Sequence, residues 1–152
     1  MALGPPPWQQ AVFVADKHRC RAVVEAFLGK DRPDYWISDR YGGQMGWAKR
    51  DHQVCLGHLI RDVQYAVEAG DAIFAPGLKG LLKRACAIGR RRECLADATL
   101  KTYEADLDRR LDRLMALIPS RPAGTKLQMV IKKIRRCLFV FVTNRDISAT
   151  NN

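Results

Sequence analysis

The sequence predicts an α/β fold: a partial sheet of about three strands with crossover helices over residues 11–69, followed by an all-helical lobe over 70–143. Two observations carry this. Between residues 11 and 39 the order is a β-branched run, an apolar stripe at helical spacing, then an aromatic run, which is the strand, helix, strand order of a parallel crossover. Beyond Gly70 come three successive amphipathic stripes with no strand-like run between them, which makes a helical layer of its own. Residues 1–10, rich in proline, read as a loose leader, and residues 144–152 as a loop.

Taken in order, residues 11–15 (Ala-Val-Phe-Val-Ala) form a short buried strand that stops at Asp16. From His18 to Leu28 the set Ala22, Val23, Ala26 and Phe27 falls on one helical face, with Gly29 ending the helix and Pro33 preventing its return. Tyr35, Trp36 and Ile37 make the next strand, which ends at Asp39 before Gly42 and Gly43. Residues 46–50 are a short helical turn or loop, and 52–56 a further brief strand. A helix starting near His58 carries Leu59, Ile60, Val63, Ala66 and Val67 and ends at Gly70. The three stripes of the lobe are Leu78, Leu81, Leu82 and Ala85; then Leu100, Tyr103, Leu107, Leu111, Leu114 and Ile118, ended by Pro119; then Leu127, Val130, Ile131, Ile134, Leu138 and Phe141. On the second of these, Asp106 stands at pairing distance from Arg109 and Arg110.

A length of 152 residues suits one ordinary domain, long enough for a real core. Lys and Arg number 26 against 16 Asp and Glu, so the formal charge is +10 and polyanions are the natural partners. Nucleic acid leads, ahead of an anionic membrane surface. No apolar run approaches the roughly 20 residues of a spanning helix, and the first residues lack the plan of a signal peptide. Five cysteines at scattered positions read as reduced thiols, mostly small core residues, in a cytoplasmic protein.

Asp39 is the first residue to weigh for chemistry. A carboxylate at the carboxyl edge of a strand, followed by permissive backbone, can reach into a crevice and bind a divalent cation; an Asp before a glycine pair also serves simply as a turn residue. Cys55 and His58 share a C-x-x-H spacing that could place a thiolate and an imidazole on one cation, but a structural zinc site needs a second close pair, and no second such motif exists, so zinc is disfavoured and His58 reads as a site-edge residue. Two basic clusters suit the DNA backbone: Arg90, Arg91 and Arg92 after the first stripe of the lobe, and Lys132, Lys133, Arg135 and Arg136 opposite the apolar face of the last helix. Each could equally be a solvated face.

The run Trp-Ile-Ser-Asp-Arg-Tyr-Gly-Gly-Gln at 36–44, Cys-Leu-Gly-His-Leu-Ile-Arg-Asp at 55–62, Tyr-Glu-Ala-Asp-Leu-Asp-Arg-Arg-Leu-Asp at 103–112 and the closing Asn-Arg-Asp-Ile-Ser-Ala-Thr-Asn-Asn resemble bacterial transposases of the insertion sequence 66 family over residues 11–152. The resemblance implies an RNase H-like catalytic domain with an Asp-Asp-Glu triad and a helical insertion before the Glu. Asp39 then corresponds to the second carboxylate, Cys55 and His58 to the C-x-x-H element after it, and Gly57 departs from the family's Ala. The first Asp belongs to a strand upstream, a role Asp16 does not take, and the Glu lies just past Asn152, in the helix to which residues 144–152 lead. The implied protein is a transposase truncated at both ends, carrying one triad carboxylate and inactive alone, since in-line attack on a phosphodiester uses two Mg2+ or Mn2+ ions about 4 Å apart. Its expected partner is the double-stranded DNA of transposon ends, in the cytoplasm near the nucleoid and not at a membrane. The alternative is a non-catalytic regulator that binds transposon DNA or a full-length transposase; self-association is a further expected contact.

Overall fold

The computed structural model describes residues 14, 17, 20–40 and 42–151. The strand expected over 11–15, with Asp16, therefore lies outside the described residues except for Val14, as do the leader, His18, Tyr41 and Asn152. Helix α1 (Arg21–Leu28) is closed by Gly29 at φ 58°, a left-handed position that favours glycine. Its side chains are half-buried or exposed, Phe27 among them.

Strands β1 (Tyr35–Ser38) and β2 (Asp51–Val54) pair in parallel, with Tyr35 opposite Asp51 and Ser38 opposite Val54. They form a two-stranded sheet of the described residues, where about three strands were expected. The return from β1 to β2 uses no α-helix. It contains a 3-10 turn at Gly42–Gln44, earlier than the turn expected at 46–50. Trp47 pins this connection: it is 2% exposed, its indole N–H donates to the Gly43 carbonyl at 2.8 Å, and Arg21 and Arg32 lie over its ring at 4.6 and 5.2 Å.

Helix α2 (Leu56–Glu68) leaves β2 directly and buries Leu56, Leu59, Val63 and Ala66, with Ile60 and Val67 packed beside them. Helices α3 (Phe74–Arg91) and α4 (Asp97–Met115) follow, and each buries the expected stripe, with Tyr103 and Leu114 at its margin. Ile118 does not extend it: α4 stops at Met115 ahead of Pro119, and Ile118 is 83% exposed. A single apolar core joins β2 to α2, α3, α4 and the segments after them.

The last stripe is not one helix. Helix α5 (Pro122–Ile134) gives way to a 3-10 turn at Arg135–Cys137 and then a short α6 (Val140–Thr143). The break lets Phe139 join Leu138, Phe141 and Val142 in the core. The interrupted main chain would leave buried polar groups without partners, and Gln53 of β2, itself fully buried, supplies them. Its amide N–H groups donate to the carbonyls of Leu138 and Val54 at 2.8 Å, and its carbonyl accepts from Phe141 N–H at 3.2 Å.

Asp71, 1% exposed, is a second buried polar joint. Its carboxylate accepts from Ala75 N–H at the start of α3 and from the N–H and hydroxyl of Ser120, at 2.7, 2.7 and 3.0 Å, so one side chain caps α3 and ties down the α4–α5 turn. A Cβ on Gly124 would fall on this carboxylate, which explains the glycine there.

Candidate functional site

Because β1 and β2 are parallel, their carboxyl ends share one edge, and that is the edge where open α/β sheets place ligands. Asp39 is the first residue beyond β1 there, half-buried, and Cys55 is the first beyond β2, fully buried. The Cys55 N–H donates to the Ser38 carbonyl at 2.7 Å, which holds the two strand ends together. Helix α2 begins at the next residue, so its first turn, with His58, opens onto the same edge.

A partly buried polar relay ends on the Asp39 main chain. The Ser38 hydroxyl donates to the Asp39 carbonyl at 2.6 Å and accepts from His52 Nε2 at 2.8 Å. His52 therefore carries its proton on Nε2, and its buried Nδ1 has no hydrogen-bond partner among the described residues. Burial lowers the His52 pKa, so the ring is neutral at pH 7. Beside Asp39, Arg40 pairs with Asp62 of α2 at 2.5 Å, and that hydrogen bond, with the charges of Asp62 and Asp39, raises its pKa.

Further along, the chain returns to this sheet, from the start of β2 toward this edge. Asn144 donates to the Asp51 carboxylate at 2.9 Å, and Leu56 N–H donates to the Ala149 carbonyl at 2.9 Å. Residues 144–149 thus run alongside 51–56 in the same direction. A Cβ on Gly57 would stand 3.7 Å from both the Cys55 sulfur and the Thr150 methyl, ordinary contact distances, so alanine fits where this chain has glycine. Two arginines lock the returning segment. Arg92 donates to the carbonyls of Phe141, Asn144, Arg145 and Ile147, and Arg145 donates to those of Arg92 and Leu95 and to Asp97.

Among the described residues no group of three or more His, Cys, Asp or Glu stands close enough to hold a metal ion. Asp39 offers two oxygens where magnesium takes about six ligands, and a buried thiol and an imidazole are poor substitutes for hard oxygen. All five cysteines are free; Cys55 is buried, Cys86 and Cys137 half-buried, and Cys20 and Cys94 exposed.

The basic residues divide sharply. Arg90, Arg91, Lys132, Lys133 and Arg136 are exposed. Arg135 is tied to Asp112 of α4 at 2.6 Å. Arg92, with 12% of its side chain exposed, faces inward. The turn after Ile134 also takes Arg135 and Arg136 off the helix that presents Lys132 and Lys133, so these four do not form one helical face. Ser38, Gln53 and Asp71 are buried polar residues and His52 a half-buried one, and their roles depend on contacts with other parts of the chain. His52 entered the sequence reading only as a spare donor beside the C-x-x-H spacing, and no local pattern singled out Ser38, Gln53 or Asp71.

No helix among the described residues is long and apolar enough to cross a membrane. Compared with known proteins, residues 6–152 match the family model described as Transposase IS66 family. No curated protein and no solved structure matches the chain.

Proposed function

The chain belongs to the IS66 family of transposases, and on that premise we propose that it is part of a DNA strand transferase in which Asp39 is one of three metal-binding carboxylates and the other two come from outside these 152 residues. The observation that carries this reading is the position of Asp39 at the shared carboxyl edge of two parallel strands, with Ala149 of the returning segment bonded to Leu56 at that edge. On this reading β1 and β2 belong to an RNase H-like sheet, α3 to α5 form the helical insertion, and the returning segment delivers the chain toward the last carboxylate. Cys55 and His58 shape the edge and do not bind zinc. The divalent ions of the family's chemistry do not fit the described residues by themselves, so the chain alone is expected to be silent in cleavage.

A second reading, that the chain acts by occupying transposon DNA or a full-length transposase, is favoured by the cations that stay exposed, Arg90, Arg91, Lys132, Lys133 and Arg136. One experiment addresses both: cleavage of the element's terminal DNA with Mg2+ or Mn2+, by the chain and by Asp39→Ala, alongside binding at several salt concentrations. The expected result is no cleavage and binding that weakens steeply with salt. Cleavage that survives Asp39→Ala would remove Asp39 from the mechanism, and absent or salt-insensitive binding would remove DNA as the partner.

A further inference from the structure

Helices α3 and α4 lie antiparallel, and their outer seam collects arginines. Arg91 lies over the Tyr103 ring at 5.9 Å, Arg84 reaches Asp106 at 3.4 Å, and Gly77 faces Leu114 so closely that a Cβ would approach it to 2.5 Å. Asp106 is also approached by Arg109 at 3.7 Å and Arg110 at 2.8 Å, so three guanidinium groups share one carboxylate and leave an excess of positive charge. Arg113 and Arg91, both exposed, add to it.

The other carboxylates of α4 do not cancel this charge. Asp97 pairs with Arg145 at 2.8 Å, Glu104 accepts from the Thr143 hydroxyl at 3.1 Å, and Asp112 pairs with Arg135, whose charge also acts on Asp108. The helical period thus places 104, 108 and 112 toward α5 and α6, and 109, 110 and 113 toward the seam. Between the arginines lies an open cleft of about 360 Å³, lined by Gly77, Gly80, Arg84, Arg110, Arg113 and Leu114. A Cβ on Gly80 would meet nothing within 4 Å, so the cleft comes down to bare helix backbone.

We infer that this seam is a track for the phosphodiester backbone of DNA, with Gly80 as the floor where the strand comes closest. From Gly77 to Arg91 the track is about 21 Å long at ~1.5 Å per residue. Laid along the duplex axis, that length corresponds to the rise of about six nucleotides of one strand at ~3.4 Å each. An acidic protein surface could satisfy the same arginines; membership of a family that acts on DNA selects the nucleic acid, and the inference rests on that reading.

The test is binding of a fluorescent duplex oligonucleotide to the full chain and to Gly80→Glu and Gly80→Ala, followed by anisotropy across salt concentrations. Gly80→Glu puts a carboxylate in the open cleft and is expected to weaken binding about tenfold or more, while Gly80→Ala binds within about twofold of the parent. The pair Arg84→Gln with Arg113→Gln gives a second route if the glutamate variant does not fold: each lost phosphate contact lowers the slope of log K against log salt by about 0.9. Binding of the parent with unchanged affinity and slope in Gly80→Glu and in the arginine pair would overturn the track and leave DNA binding in place. A parent chain that does not bind DNA even at low salt would overturn the DNA reading itself, and an acidic peptide captured in its stead would assign the seam to a protein.

Discussion

Arg92 and Arg145 turn their guanidinium groups inward onto main-chain carbonyls, whereas Arg84, Arg110 and Arg113 stand around an open cleft with one carboxylate among them. Both sets lie on or next to the same pair of helices. The difference is in what surrounds them: the first set meets an irregular segment whose carbonyls have lost helical partners, and the second meets two regular helices whose carbonyls are already satisfied. A cation beside broken secondary structure becomes part of the fold, and one beside intact helices stays available to a ligand.

The largest expected effect separates the two sets by stability. Arg92→Ala strips the donor from four carbonyls and should cost about 3 kcal/mol or more, a fall of roughly 10 °C in the thermal midpoint. Differential scanning calorimetry would measure it, and a change under ~1 kcal/mol would erase the contrast.

Next comes Asp71→Ala, expected to cost about 2 kcal/mol through loss of the α3 cap and the Ser120 tie. The same residue sets a pH dependence. Burial by itself would raise the Asp71 carboxyl, but the hydrogen bonds from Ala75 and Ser120 outweigh it, and the pKa is lowered. The stability it gives is therefore present above the unfolded value, near 4, and is lost as pH falls through the lowered folded value. Urea midpoints taken between pH 5 and 2 should fall less steeply for Asp71→Asn than for the parent.

Glycines on one helix sharpen the comparison further. On α3, Gly89→Ala would bring a Cβ to 2.8 Å from the Phe141 ring and press on the clamped segment, so it should destabilise by about 1 kcal/mol or more. Gly80→Ala, in the open cleft, should stabilise by up to about 1 kcal/mol from helix propensity. The same sign for both would show that packing does not distinguish the two stretches. The smallest effect is that of Arg113→Gln, expected within about 0.5 kcal/mol of the parent, as for an exposed cation away from any buried feature.

Helices α2 to α4 were legible because each buries a continuous stripe, and a stripe at period 3.6 is a local signal. The aromatic run Tyr35, Trp36, Ile37 and the glycines at 29 and 70 marked β1 and two helix ends in the same way. The break after Ile134 was not legible. Its apolar spacing continues as a helix would, and what permits the interruption is Gln53, 85 positions before Leu138. Arg92 carried the same local signature as Arg90 and Arg91, and only the return of 141–147 distinguishes it. Asp39 was singled out from strand and glycines, but the relay of Ser38 and His52 depends on the pairing of β1 with β2, which no single stretch reveals.

The hydrogen bond between Leu56 N–H and the Ala149 carbonyl also means that everything between them is a detour. The chain leaves the Asp39 edge at the start of α2 and returns to the same place after α6. This detour is not a flexible loop, because its helices share one apolar core with β2, so its closure is held by packing as well as by that hydrogen bond. Its ends meet at the strand edge and its remote turns are tied in turn, the α2–α3 turn to the α4–α5 turn by Asp71 and Ser120, and the α3–α4 turn to the returning segment by Arg145.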